Sequence, residues 1–185
     1  MTANQFLDNF WSYYLTLEKR FLQLRTYIEF DTDNFPCFSC ELLALLQTIC
    51  SEIDVVCKEI CGYPNDSHKN MSHYKIDVAN KFPDIRGIQI RADYFQITLK
   101  PFEDFLPDKS MAWWGAYTGV KHARIQNIKL GNLENTLLAL SALYTLEKLL
   151  HKEITGEDGI NQESDLFHIV GWSELGHILW PFQVK

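Results

Sequence analysis

The stretch Asn132-Leu-Glu-Asn-Thr-Leu-Leu-Ala-Leu-Ser-Ala-Leu-Tyr-Thr-Leu-Glu-Lys-Leu-Leu150 decides the fold class. Leu133, Leu137, Leu138, Leu140, Ala142, Leu143, Leu146, Leu149 and Leu150 cover much of the circumference of one long helix. Asn132 is its natural N-cap and Glu134 a favourable first-turn acid. Gly156 and Gly159 end it. A helix this apolar sits at the centre of a bundle or is shared with a second subunit. The chain is therefore expected to be mainly α.

Just upstream, Met111 to Ile125 reads M-A-W-W-G-A-Y-T-G-V-K-H-A-R-I. Asp108 or Ser110 can cap a helix here. Trp113, Ala116, Val120 and Ala123 fall on one stripe. Trp114, Tyr117, Lys121 and Arg124 fall on the next, and Thr118 and His122 on a third. Ile125 to Gly131 then connects to the last helix. Two accounts of this helix stand open. In one, both tryptophans are core and the cations are solvated. In the other, the aromatics fix the helix while Thr118, Lys121, His122 and Arg124 project into a cleft, where cations beside an imidazole suit a phosphate.

Before this helix the period changes. Gly87-Ile-Gln-Ile-Arg91 and Tyr94-Phe-Gln-Ile-Thr-Leu99 alternate apolar and polar residues, which predicts a β-hairpin inserted near residues 87–100. The turn lacks Asn-Gly or Asp-Gly. A lone hairpin is marginal in water, so it must lie on something. Met71 to Phe82 reads as a short helix with Ile76, Ala79 and Phe82 inward, ended by Pro83.

The N-terminal part is a helical pair. Thr2 and Gln5 fit a capping box. Phe6, Phe10, Tyr13, Leu17, Phe21, Leu24 and Ile28 recur at helical spacing, with Glu18, Lys19, Arg20, Gln23 and Arg25 largely off the stripe. Ser39 can cap the next helix, whose apolar face runs from Leu42 to Ile60 and stops at Gly62. The short connection between them predicts an antiparallel arrangement. At the other end, Glu157–Asp165 is an acidic loop, and Leu166–Phe182 a tail that can add a strand or short helix over the core.

The 185 residues make one domain, 46% hydrophobic and 22% charged, which excludes a disordered chain. A net charge of −7 argues against broad non-specific nucleic-acid binding but leaves room for a local basic site. No membrane span and no secretory leader are read, so a cytoplasmic protein is expected. Five cysteines do not suggest a disulfide framework. Cys57 and Cys61 with His68 and His73 have metal-like spacings, but the halves are too close to converge. Cys50, Cys57 and Cys61 read instead as small core hydrophobes. His168 and His177 show no catalytic or metal spacing. There is no internal repeat, P-loop, dinucleotide loop, Gly-x-Ser-x-Gly or HExxH, so neither cofactor nor metal is expected.

Pro101-Phe102, the W-W-x-A-Y-x-x-V-K-H-x-R pattern of Trp113 to Arg124, and the Asn132–Leu140 segment together resemble a bacterial helical family related to the HEPN superfamily. The resemblance covers roughly residues 100–150 well and the preceding helices by pattern only. It implies an antiparallel HEPN-like α-helical bundle, a homodimer, and a role in defence, toxin–antitoxin or RNA-related systems. Many HEPN members are metal-independent ribonucleases with an Arg followed four to six residues later by His. This chain has no such pair, His122 precedes Arg124, and Thr118 stands where the family usually has Asn.

Two functions are carried forward. In the first, Lys121, Arg124 and Thr118 contact RNA, a nucleotide or another phosphate, Trp114 and Tyr117 wall the site, and His122 is the acid/base if RNA is cleaved. In the second, the chain is a non-catalytic dimeric module for a cognate protein partner, and these polar groups are structural.

Overall fold

The computed structural model describes residues 1–64 and 66–172. His177 and the rest of the tail from 173 onward lie outside the described residues.

The chain enters through α1 (Ala3–Phe6), capped by the Thr2–Gln5 box. It passes through a π-helical turn (Leu7–Trp11) into α2 (Ser12–Gln23). The π turn carries one residue more than an α-turn, which moves the inward positions at Phe10 and Tyr13 on to Trp11 and Tyr14, while Leu17, Phe21 and Leu24 stay inward as predicted. Trp11 and Tyr14 are buried, whereas Tyr13, on the predicted stripe, is 39% exposed. The shift also turns Glu18, expected outside, into the core at 2% exposure. There its carboxylate accepts from the Tyr14 and Ser164 hydroxyls and from the Asp165 amide at 2.9 Å. The helix ends at Gln23, and Ile28 lies beyond it.

Ser39 caps α3 (Cys40–Cys61) by accepting from the Leu42 amide at 3.1 Å, and Gly62 closes it at φ 64°. Arg20, near the end of α2, meets Glu41, at the start of α3, at 2.7 Å. These two helices run antiparallel, as the short connection predicts. Cys50 and Cys57 lie in the core, where burial pushes both thiols well up. His68 and His73 are exposed, and the His73 ring is bonded to Asn70 at 3.0 Å.

α4 (Met71–Lys81) is capped by Asn70. Its inward residues are Met71, Tyr74, Lys75 and Val78, and Ile76, expected inward, is 51% exposed. Lys75 donates to the Lys109 carbonyl, which ties α4 to the loop before α5.

β1 (Ile90–Ala92) and β2 (Ile97–Leu99) form the predicted hairpin in shorter form. Its turn is a 3-10 segment over Asp93–Phe95 that ends with Gln96 in the left-handed region at φ 53°. β3 (Phe167–Ile169) adds to the other edge of β1, giving an antiparallel sheet of order β2-β1-β3. Ile90, Ala92, Leu99, Phe167 and Ile169 face the core. Phe95 packs on Phe30 at 4.6 Å, while Tyr94 points out beneath the Arg25 guanidinium at 4.2 Å. The tail thus supplies the strand that steadies the hairpin.

α5 (Ala112–His122), α6 (Arg124–Asn127) and α7 (Leu133–Thr155) complete the domain. Asn132 and Gly156 cap α7 as predicted. α7 is enclosed by α1, α2, α3, α5 and β3 of this same chain, and residues 139–151 are buried throughout. Of its two predicted placements, the central one is observed.

The bundle is not antiparallel throughout. α3 and α7 start side by side and run in the same direction. Phe38 bridges Asn132, the Thr136 hydroxyl donates to the Leu42 carbonyl at 3.2 Å, and Glu147 senses the charge of Glu52. The short connection bears only on α2 and α3, which are antiparallel. Between α3 and α7, the α4 helix, the hairpin and α5 intervene and carry the chain back to its starting end. Among the described residues no helix is long and apolar enough to cross a membrane.

Candidate functional site

α5 is anchored by one side and displays the other. The Trp113 indole N–H donates to the Pro101 carbonyl at 2.9 Å, and its ring stands edge-on to Phe102 at 6.2 Å. Trp113, Ala116 and Val120 are buried. The helix starts at Met111 without a side-chain cap, not at Asp108 or Ser110. The buried Trp113–Phe102 packing holds this end in place of a capping oxygen.

With that stripe inward, Trp114, Tyr117, Thr118, Lys121 and His122 border a common cleft of about 330 Å³. Ser51 and Asp54 of α3 face them, together with Lys69, Asn70 and Met71 at the start of α4. Trp114 and Tyr117 pack ring to ring at 4.9 Å, tilted by 53°. The Thr118 hydroxyl donates to the Gly115 carbonyl at 3.0 Å, which fixes the oxygen without using its lone pairs.

Arg124 does not join this lining. The backbone at Ala123 (φ −144°, ψ 58°) ends α5, and Arg124 restarts the chain as the first residue of α6, exposed. A continuous helix would place it one turn above Lys121. The break is held by Asn127, whose side-chain amide donates to the Gly119 carbonyl at 3.1 Å.

The electrostatics favour an anion. The Lys121 ammonium lies 5.5 Å from the Tyr117 ring centre, and the Lys69 ammonium 4.9 Å from that of Tyr63. Neither has a carboxylate within 4.0 Å among the described residues. The bordering carboxylate, Asp54, is already committed to the Tyr74 hydroxyl and to Lys58, both at 2.7 Å. Desolvation, then the bond to Asp54, pushes the Tyr74 hydroxyl far up, so it remains a donor. The N-terminal turn of α4 adds its partial positive charge to the same side.

His122 is exposed at the rim, with no hydrogen bond or ion pair to a described residue. As a general base it lacks a group that orients its ring.

Lys121, in the last turn of α5, also complements the helix dipole. Lys69, Asn70, Ser51 and Asp54 were not visible as site residues in the sequence. They reach the cleft because α3 packs against α5 and the loop before α4 borders the same space.

A larger groove of about 520 Å³, bordered by Phe82, Ile85, Ile88, Leu149 and Trp172, is a poorer anion site. Its lysines, Lys81 and Lys152, are paired with Glu153 and Asp158, each at 2.6 Å.

No family model, curated protein or solved structure matches the chain.

Proposed function

We propose that this chain is a cytoplasmic HEPN-like helical protein of an RNA-related or defence system, and that the α5 cleft contacts RNA phosphate. The observation that carries this reading is the placement of Lys121 and His122 beside Trp114, Tyr117 and Thr118 on one wall of one cleft. Lysine supplies the charge, and the aromatic pair offers a face for a base. Arg124, outside the cleft on α6, adds a cation at its approach rather than a ligand within it.

If the protein cleaves RNA, His122 is the acid/base and Lys121 the group that stabilises developing phosphate charge. The test is incubation of wild-type, His122→Ala and Lys121→Ala proteins with labelled RNA, followed for both binding and cleavage. Loss of cleavage with retained binding in the His122 variant supports catalysis. Equal cleavage by wild type and variant, or cleavage by neither, removes it.

A second reading rests on a separate observation. Ile125 is 91% exposed and Ile128 40%, on the segment that follows the cleft. Exposed apolar residues there suit contact with a cognate protein or a second copy of the chain. Concentration-dependent dimerisation by light scattering, lost in Ile125→Asp, with no RNA binding at low salt, would favour this reading.

A further inference from the structure

We infer that Lys69 makes the cleft a receptor for a terminal phosphate monoester carried on a planar ring, rather than for an internal phosphodiester. This rests on the reading of the cleft as a phosphate site and adds to it the form of the phosphate.

A diester carries a single negative charge, which one cation answers. A monoester carries about −1.5 to −2 at neutral pH. Two lysines border the cleft from different walls, Lys121 from the last turn of α5 and Lys69 from the residue before the Asn70 cap of α4. Each rests near an aromatic ring rather than against a carboxylate. Asp54, which would oppose an anion, is held by Lys58 and the Tyr74 hydroxyl. The Asn70 carboxamide oxygen is taken by the Ser72 amide at 3.1 Å. The groups left to meet a ligand are therefore mainly donors.

At about 330 Å³ the cleft lies at the small end of ligand pockets, which run from roughly 300 to 1,000 Å³. It accepts a group rather than a length of strand. A strand continuing in both directions would carry further phosphates over a body of net charge −7, which repels them. A chain end, or a single mononucleotide, places its highest charge in the cleft and leaves the rest outside.

Trp114 and Tyr117 are half-buried and meet at 53°, forming a corner beside the cations. A ring one bond system away from the phosphate can lie against this corner. Such stacking contributes about tenfold in affinity.

The experiment uses the full chain and calorimetric or fluorescence titration with four probes. They are a 5′-phosphorylated RNA hexamer, the same hexamer with a 5′-hydroxyl, a nucleoside 5′-monophosphate, and inorganic phosphate. The phosphorylated hexamer is expected to bind at least tenfold more tightly than its hydroxyl counterpart. Lys69→Ala should abolish that preference. Trp114→Leu should reduce the advantage of the monophosphate over inorganic phosphate. Mononucleotide binding as tight as that of the phosphorylated hexamer identifies a free nucleotide as sufficient, and tighter binding by the hexamer identifies an RNA end. Both agree with a monoester receptor. Equal binding of the two hexamers, weakened by Lys121→Ala, overturns the inference and leaves the phosphate site standing. Absence of binding by all four probes overturns both. Circular dichroism of each variant confirms that it is folded.

Discussion

Glu147 of α7 is completely buried and faces the charge of Glu52 across two parallel helices, and neither of its carboxylate oxygens meets a donor among the described residues. Burial, then Glu52, pushes its pKa well above the usual carboxylate range, and burial raises Glu52 as well. The folded chain therefore holds a proton on Glu147 that the unfolded chain releases near the ordinary glutamate pKa. Stability from this group is complete below that ordinary value and is lost as pH rises through the folded one. Thermal unfolding from pH 4 to 9 should show this decline at its alkaline side. Glu147→Gln should flatten it, and Glu147→Leu should raise stability at neutral pH by about 1–3 kcal/mol. An unchanged pH profile in the Gln variant would count against the assignment.

His151, one turn along, behaves in the opposite sense. Burial, then Lys148, holds its imidazole below the usual range, and its ring packs on Phe6 at 5.5 Å. A lowered histidine contributes stability above the ordinary imidazole value and loses it as pH falls through the folded one. His151→Phe should therefore reduce acid-side destabilisation between about pH 7 and 5. The check is the same thermal series, compared with wild type.

Gly131 lies where α3 and α7 come closest at their starts. A Cβ there would stand 2.7 Å from the Leu43 Cβ and 2.8 Å from its Cα. Gly131→Ala should cost about 1–3 kcal/mol, because backbone rather than a side-chain tip must move. Gly119 is the contrast. Its added Cβ would meet the Leu130 Cδ1 at 3.2 Å, which a rotating leucine can yield, and alanine favours the helix. Gly119→Ala should lie near neutral in the same denaturant titration.

Glu18 links α2 to the loop before β3. Beside its three bonds, the Trp11 indole donates to the Gln162 carbonyl at 3.0 Å, and buried Lys148 pairs with Glu163 at 3.0 Å. Glu18→Ala leaves the Ser164 hydroxyl and the Asp165 amide without their acceptor and should cost about 2–4 kcal/mol. Hydrogen exchange at Asp165 and Phe167 should accelerate well before global unfolding. Unchanged protection there would show that the loop is held by other contacts.

Much of this arrangement is legible in the sequence, and its failures have physical causes. The caps at Thr2, Ser39 and Asn132 and the stop at Gly62 are local chemistry and read directly. So does the division of α5 into a buried Trp113–Val120 side and a displayed Trp114–Lys121 side. The π turn at Leu7–Trp11 carries no residue signature, so the stripe slips there: Trp11 and Tyr14 turn inward in place of Phe10 and Tyr13, and Glu18 joins Leu17 in the core. Ala123 breaks a helix with neither glycine nor proline, which is why Arg124 was read onto the wall it does not join. The parallel course of α3 and α7, and the place of Lys69 and Lys121 on one cleft, depend on segments far apart in the chain, and no periodicity encodes them.

The salt dependence of RNA binding separates the cations. Each phosphate contact removed should lower the slope of log K against log salt by about 0.7 for a single strand. Lys121→Ala should show that full change, and Arg124→Ala, outside the cleft, a smaller one. Equal changes would place both side chains on the ligand.

The most direct measurement is a two-dimensional NMR titration with short RNA that follows the tryptophan indole N–H signals. The Trp114 signal should move in a saturable manner while the buried Trp113 signal, bonded to Pro101, stays nearly still, and Lys121→Ala should weaken the response at least tenfold. Movement confined to Trp172 at the apolar groove, or no movement at all, would contradict a phosphate site on α5.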